Sequence, residues 1–134
     1  MIFKASAITP GIGAGITGLG ISQPMKKKTI ARLGELFRRQ LVLVFRDQAL
    51  AREDHKQFAH YFGELYVHPS HRSGLKKACD AEFFVIDTPA EVEQSNGEAW
   101  RWDVSCEVIP PMVSLLYVTK VSGNGSGDTP FANV

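Results

Sequence analysis

Hydrophobic positions change their spacing several times along the chain, and each change marks an element. Phe3 to Thr9 is short, apolar-rich and closed by Pro10-Gly11, which predicts a strand and then a turn. From Gly11 to Gly20 glycine recurs at 11, 13, 15, 18 and 20, and this predicts strands and turns with close backbone approaches. Gly13-x-Gly15-x-x-Gly18 also matches the dinucleotide pattern, but no helix pattern opens directly behind it to receive a pyrophosphate at its N-terminus. A dinucleotide-binding oxidoreductase is therefore set aside. Ser22 as cap, Pro24 in the first turn, and Ile30, Leu33, Leu36 and Phe37 on one face predict an amphipathic helix ending near Gln40. Lys26, Lys27 and Lys28 near its start oppose the helix dipole and read as a solvated face.

The continuous apolar run Leu41 to Phe45 predicts a strand buried on both faces. A second helix is expected from about Ala51 to Phe62, with His55, Phe58, Ala59 and Phe62 in one stripe and Gly63 as its C-terminal cap. His55 thus reads as a packed or half-exposed helix residue and not as a ligand. Further strands are expected from Gly63 to the turn at His68-Pro69, over Phe83 to Ile86 as a buried strand, and over Ser114 to Val118. Thr88 to Glu98 is polar, holds Pro89, Asn96 and Gly97, and predicts a loop of functional length. Ser122 to Gly127 reads as a flexible connection, and no internal repeat or separate linker is visible.

Length and charge narrow the picture. With 134 residues, 44% hydrophobic and 22% charged, the chain has the size of one ordinary domain and the composition of a folding one. A formal net charge of +1 provides no field for nucleic acid or an anionic membrane, and neither is expected as a partner. No apolar run has bilayer-spanning length, and Met1-Ile2-Phe3-Lys4 does not begin a signal peptide, so a cytoplasmic location is expected. Cys79 and Cys106 form neither a Cys-x-x-Cys motif nor a disulfide framework, and read as reduced thiols.

Candidate chemistry is sparse when each motif is taken alone. His68 and His71 are three apart, but Pro69 between them argues against a shared helical turn, so the pair is a weak zinc pattern. No nucleophile elbow or cysteine-enzyme signature is present, and no catalytic residue is assigned. Trp100-Arg101-Trp102-Asp103 says more: in an extended segment residues two apart share a face, so Arg101 and Asp103 point one way and the tryptophans the other, and the plainest reading of that is a solvated ion pair opposite an aromatic core face.

Taken together and in order, several segments resemble the taurine dioxygenase (TauD/TfdA) family of Fe(II)- and 2-oxoglutarate-dependent dioxygenases. They are Ile8-Thr9-Pro10-Gly11-Ile12-Gly13-Ala14, Leu43 to Gln48, Phe62-Gly63-Glu64-Leu65 with Val67-His68-Pro69, Trp100-x-x-Asp103-Val104-Ser105, Pro110-Pro111-Met112 with Ser114 to Tyr117, and Gly127 to Asn133. The resemblance implies an α+β fold built on a double-stranded β-helix, the clavaminate synthase-like jelly roll. It covers nearly all of this chain and about the first half of a typical member. Residues 1–134 are therefore expected to form a single partial domain with the N-terminal helices and first strands. The implied activity is hydroxylation of a small anionic substrate, whether sulfonate, sulfate ester or carboxylate, with Fe(II) and 2-oxoglutarate as cofactors. Asp103 stands where the family places its metal-ligating carboxylate, and Thr129 where a threonine helps hold 2-oxoglutarate. His68 corresponds to a histidine near the substrate anion, and Asn96 and Gly97 lie in the loop bordering that pocket.

One position departs from the family pattern. The family motif is His-x-Asp, and here Arg101-Trp102-Asp103 stands in its place. A guanidinium stays protonated, has donors and no lone pair, and cannot replace imidazole on a metal. By the resemblance, the second histidine and the arginine that grips 2-oxoglutarate belong to the family's C-terminal half. The isolated chain is accordingly expected to be catalytically incompetent, and to pair with a second copy or with a separate C-terminal half. The alternative is a non-enzymatic remnant or interaction module with an Arg101-Asp103 ion pair in place of the metal.

Overall fold

The computed structural model describes residues 3–67, 81–87, 99–105, 107–121, 123 and 127–133. These fall into two compact units, Met1–Phe62 with Leu115–Val134, and Gly63–Ser114. The first unit carries the regular structure: β1 (Lys4–Ala7), β2 (Ala14–Thr17), α1 (Lys27–Gln40), β3 (Leu43–Phe45) and α2 (Arg52–His60). The α+β expectation holds at this level, as a small mixed sheet with two helices.

The glycine-rich run forms the middle of that sheet. β2 pairs antiparallel with β1, Lys4 opposite Thr17, and parallel with β3, Ala14 opposite Leu43. The connection between β1 and β2 is closed by Ile8 N–H donating to the Gly13 carbonyl at 2.9 Å, and by Thr9, whose side-chain oxygen accepts the Ile12 N–H at 3.1 Å. Gly13 turns the chain at φ 91°, a conformation that penalises any side chain. Its N–H donates to the Gln40 carbonyl at 2.8 Å, which joins the turn to the end of α1. Gly15 lies inside the strand and α1 begins only at Lys27, so the helix that follows the glycines does not open directly behind them as the dinucleotide pattern requires.

α1 ends where the pattern predicts, at Gln40, but starts later than Ser22 and Pro24 imply. Its cap is Lys26, with no side-chain hydrogen bond and no acidic residue in the first turn. Residues 21–25 are instead committed to other segments. Ile21 is buried in the core, its N–H donating to Gln48 Oε1 at 3.0 Å, and the Met25 N–H donates to the Tyr61 hydroxyl at 2.9 Å. Both donors engage long-range partners, and that holds the segment out of the helix. Lys26, Lys27 and Lys28 are exposed, as expected, and Arg38 and Arg39 sit in the last turn, where the dipole favours them. Leu41 closes the helix in the left-handed region at φ 62°, its N–H donating to the Phe37 carbonyl at 2.7 Å.

α2 matches its expected stripe but is shorter than 51–62. Asp54 Oδ2 accepts the Ala51 N–H at 2.9 Å and fixes the start. Phe58 is buried, and Phe45, Tyr61 and Phe62 meet it edge to face with ring centroids 5.5, 6.4 and 5.4 Å away. The core comprises Phe3, Ile16, Ile21, Leu33 and Phe58, with Leu36, Leu43, Phe45, Leu50 and Leu115 among the half-buried residues packed on it.

Three expected strands do not form among the described residues, and a fourth is less buried than expected. β3 is half-buried along its length rather than buried on both faces, because among the described residues it is flanked by β2 alone. Residues 63–67 and Phe83 to Ile86 take no place in the sheet, and Phe84, Val85 and Ile86 are exposed. Residues 113–118 alternate between half-buried and exposed, with Val113, Leu115 and Tyr117 inward, yet they too lie outside the sheet. Alternation records an extended backbone, but a strand also needs a neighbour whose N–H and C=O groups it can meet. The polar loop at 88–98 and both cysteines lie outside the described residues. Among those described, no helix is long and apolar enough to cross a membrane.

Leu33 is only 1% exposed and anchors α1 on the sheet. Leu33→Ala should lower the unfolding free energy by about 2–5 kcal/mol. Lys28→Ala, on the solvated face, should change it by less than about 0.5 kcal/mol. Denaturant unfolding followed by circular dichroism measures both.

Candidate functional site

The segment around Asp103 lies in the second unit, and local backbone geometry decides what it presents. Arg101 and Asp103 share a face as the extended spacing predicts, and Arg101 Nε lies 3.2 Å from Asp103 Oδ1. Immediately after, the chain turns: Val104 sits in the left-handed region at φ 55°, Ser105 Oγ donates to the Trp102 carbonyl at 3.3 Å, and the Glu107 N–H donates to the Val104 carbonyl at 3.2 Å. The Tyr66 hydroxyl donates to Glu107 Oε1 at 2.8 Å, tying this turn to residues 63–67.

The Arg101 and Asp103 side chains are each 56% exposed. A pair so solvated contributes about 0–1 kcal/mol to stability. The tryptophans do not pack into a core as expected: Trp100 is 72% and Trp102 76% exposed. No described layer covers either ring.

The donor set can be tested directly against a divalent metal. Iron(II) takes imidazole and carboxylate ligands grouped on one face. Asp103 supplies a carboxylate, but the neighbouring side chain is a cation without a lone pair. Among the described residues, no group of three or more His, Cys, Asp or Glu side chains could hold a metal ion. The described residues do not fit iron.

The remaining predicted residues are placed less fully. Thr129 is exposed in the segment 127–133 of the first unit. His68, His71, Asn96 and Gly97 lie outside the described residues.

The structure also reveals polar ties that sequence reasoning missed. Gln48 bridges three backbone groups: Oε1 accepts from Ile21, and Nε2 donates to the carbonyls of Leu19 at 3.3 Å and Arg46 at 2.9 Å. The Tyr117 hydroxyl donates to the Gln48 carbonyl at 3.0 Å and accepts the Leu50 N–H at 3.3 Å. His55 meets the Tyr117 ring edge to face at 6.2 Å and hydrogen-bonds the Leu115 backbone. These contacts fasten residues 115–117 to the start of α2. They span sequence separations that no local pattern encodes, and only the polar tips on otherwise inward-facing residues hinted at them.

The family described as taurine catabolism dioxygenase TauD, TfdA family matches residues 4–134. The chain belongs to the TauD/TfdA family. An alkylsulfatase of Acinetobacter baylyi is 28% identical over 127 residues, covering 94% of this chain and 38% of its own length. Among solved structures, a taurine dioxygenase from Burkholderia xenovorans is similar at 28% identity with a TM-score of 0.47, over 50% of this chain and 24% of its own. A protein named AAD-2, solved with Mn(II) and N-oxalylglycine, is similar at 23% identity with a TM-score of 0.48, over 49% of this chain and 24% of its own. The chain thus spans well under half the length of the relatives it matches.

Burial lowers the His55 pKa below 6.5 in the folded chain, against a smaller upward effect of its bond to the Leu115 backbone. The unfolded chain therefore binds the proton more readily. The His55 contribution is complete above pH 6.5 and is lost as pH falls through the lowered folded value. Unfolding titrations between pH 7.5 and pH 5 on wild type and His55→Gln should show the wild type losing stability on acidification relative to the variant.

Proposed function

We propose that the protein is a 2-oxoglutarate-dependent dioxygenase of the TauD/TfdA type acting on a small anionic organic substrate, a sulfonate, sulfate ester or carboxylate. The match of residues 4–134 to the family carries this reading, and the alkylsulfatase relative supports the anionic substrate class. In this reading Asp103 occupies the family's carboxylate-ligand position and Thr129 its 2-oxoglutarate position. His68, Asn96 and Gly97 border the substrate anion: imidazole and loop N–H groups are donors suited to sulfonate or carboxylate oxygens. The partial jelly roll belongs to the same proposal, with the strands and helices of 1–134 forming part of one domain.

Fe(II) and 2-oxoglutarate are the cofactors this family reading implies. With arginine at 101, the position two residues before Asp103 supplies no imidazole, so this chain alone is read as catalytically incompetent. One observation favours a second reading, a non-enzymatic remnant or interaction module: the ion pair between Arg101 and Asp103 at 3.2 Å is the contact that reading expects in place of the metal. That module would form a stable dimer or hetero-oligomer without metal, which light scattering on the purified chain measures.

The substrate class is tested by titrating the isotopically labelled chain with an alkyl sulfate, an alkanesulfonate and the neutral alcohol of equal length, followed by NMR. The anions should shift the resonances of His68, Asn96 and Gly97, and His68→Ala should weaken them about tenfold, the loss of one charge-assisted hydrogen bond. Equal binding of the alcohol would overturn the anionic assignment. Succinate formation from 2-oxoglutarate by the wild-type chain alone would overturn its incompetence.

A further inference from the structure

We propose that Arg101 withholds Asp103 from divalent metal, so that the guanidinium is the cation this carboxylate holds and the 101–103 segment is not a metal ligand. The proposal rests on the family reading only for the position of Asp103; its physical content is local. The two side chains share one face, with Nε 3.2 Å from Oδ1. The turn behind them, through Val104 and the bond from Ser105 to the Trp102 carbonyl, sets the direction in which the chain leaves Asp103.

A divalent ion bonded to Oδ1 would sit roughly 2 Å from it and so within about 5 Å of Nε while the pair persists, and one bonded to Oδ2 would lie within about 7 Å. Repulsion between a double and a single charge at that separation weakens binding on the order of tenfold even at the dielectric of water, and more where water is displaced. The ion must either bind against this repulsion or break the pair, and breaking a pair so solvated costs no more than about fivefold in affinity, so that cheaper route sets the penalty. Arginine does not escape by losing its proton. Nor does Glu107 stand idle as a second carboxylate, since Tyr66 donates to it at 2.8 Å.

High exposure makes the test clean, because substituting a solvated side chain leaves the fold in place. Mn(II) is the probe, and the loss of its free EPR signal is read on the full chain. Wild type and Asp103→Asn should give the same titration curve. Arg101→Gln should raise Mn(II) affinity about two- to fivefold, the most that a pair so solvated can withhold, and Arg101→His further, by adding an imidazole. Both gains should vanish when Asp103→Asn is added. Circular dichroism confirms folding, and Arg101→Gln stands in should Arg101→His not fold.

A wild type that binds Mn(II) and loses it in Asp103→Asn would overturn the proposal, as would Arg101 variants with no gain over wild type. Binding of equal strength in wild type and Asp103→Asn, with the Arg101 gain still dependent on Asp103, places that ion elsewhere and supports the proposal. The anion titration at His68, Asn96 and Gly97 does not involve Arg101, so the failure of either proposal is visible separately.

Discussion

Everything ordered in the first unit depends on the pairing of β2 with β3. β2 contributes Ala14 and Ile16, both buried, and its small glycine neighbours let the backbone pass between two strands at once. Parallel pairing requires a crossover, and α1 is that crossover, so Leu33 reaches the core only because Gly13 and Gln40 are held together at its end. α2 then closes the cluster with Phe58. The packing is small and leans on side chains bonding distant backbone: Gln48, Tyr61 and Tyr117 each fix a segment that has no ladder of its own.

The same dependence on neighbours explains the second unit. Its described residues carry apolar side chains such as Phe84, Ile86, Trp100 and Trp102 on exposed surface. Among the described residues, the stretch around Asp103 is held by a turn, a tyrosine to glutamate bond and a solvated ion pair. A carboxylate is available to a metal only if its other neighbours leave it so, and here the nearest identified partner is a fixed positive charge. Family membership and metal competence are therefore separate properties of this chain. The first rests on an ordered set of segments across 4–134, and the second turns on the chemistry of position 101.

How much was legible beforehand follows from which interactions are local. The face of α1, its end at Gln40, the stripe of α2 and the turn glycines were all readable, because helical and extended periods are properties of consecutive residues. So was the shared face of Arg101 and Asp103. The late start of α1 was not readable: Ser22 and Pro24 are sound helix openers in isolation, and they lose to a glutamine and a tyrosine arriving from residues 48 and 61. Apolar runs at 83–86 and 114–118 carried strand-like composition without the neighbour that makes a strand.

The sequence by itself determined the family, the periodicity of its helices and the cation beside the expected ligand, since each is written in residue identity and short-range order. Only the tertiary structure decided that Leu43 to Phe45 is a half-buried strand with one neighbour among the described residues, that the tryptophans face outward, and that His55 is desolvated against Leu115 and Tyr117. Burial and pairing are relations between segments far apart in the chain, and their free energies are set by what lies opposite.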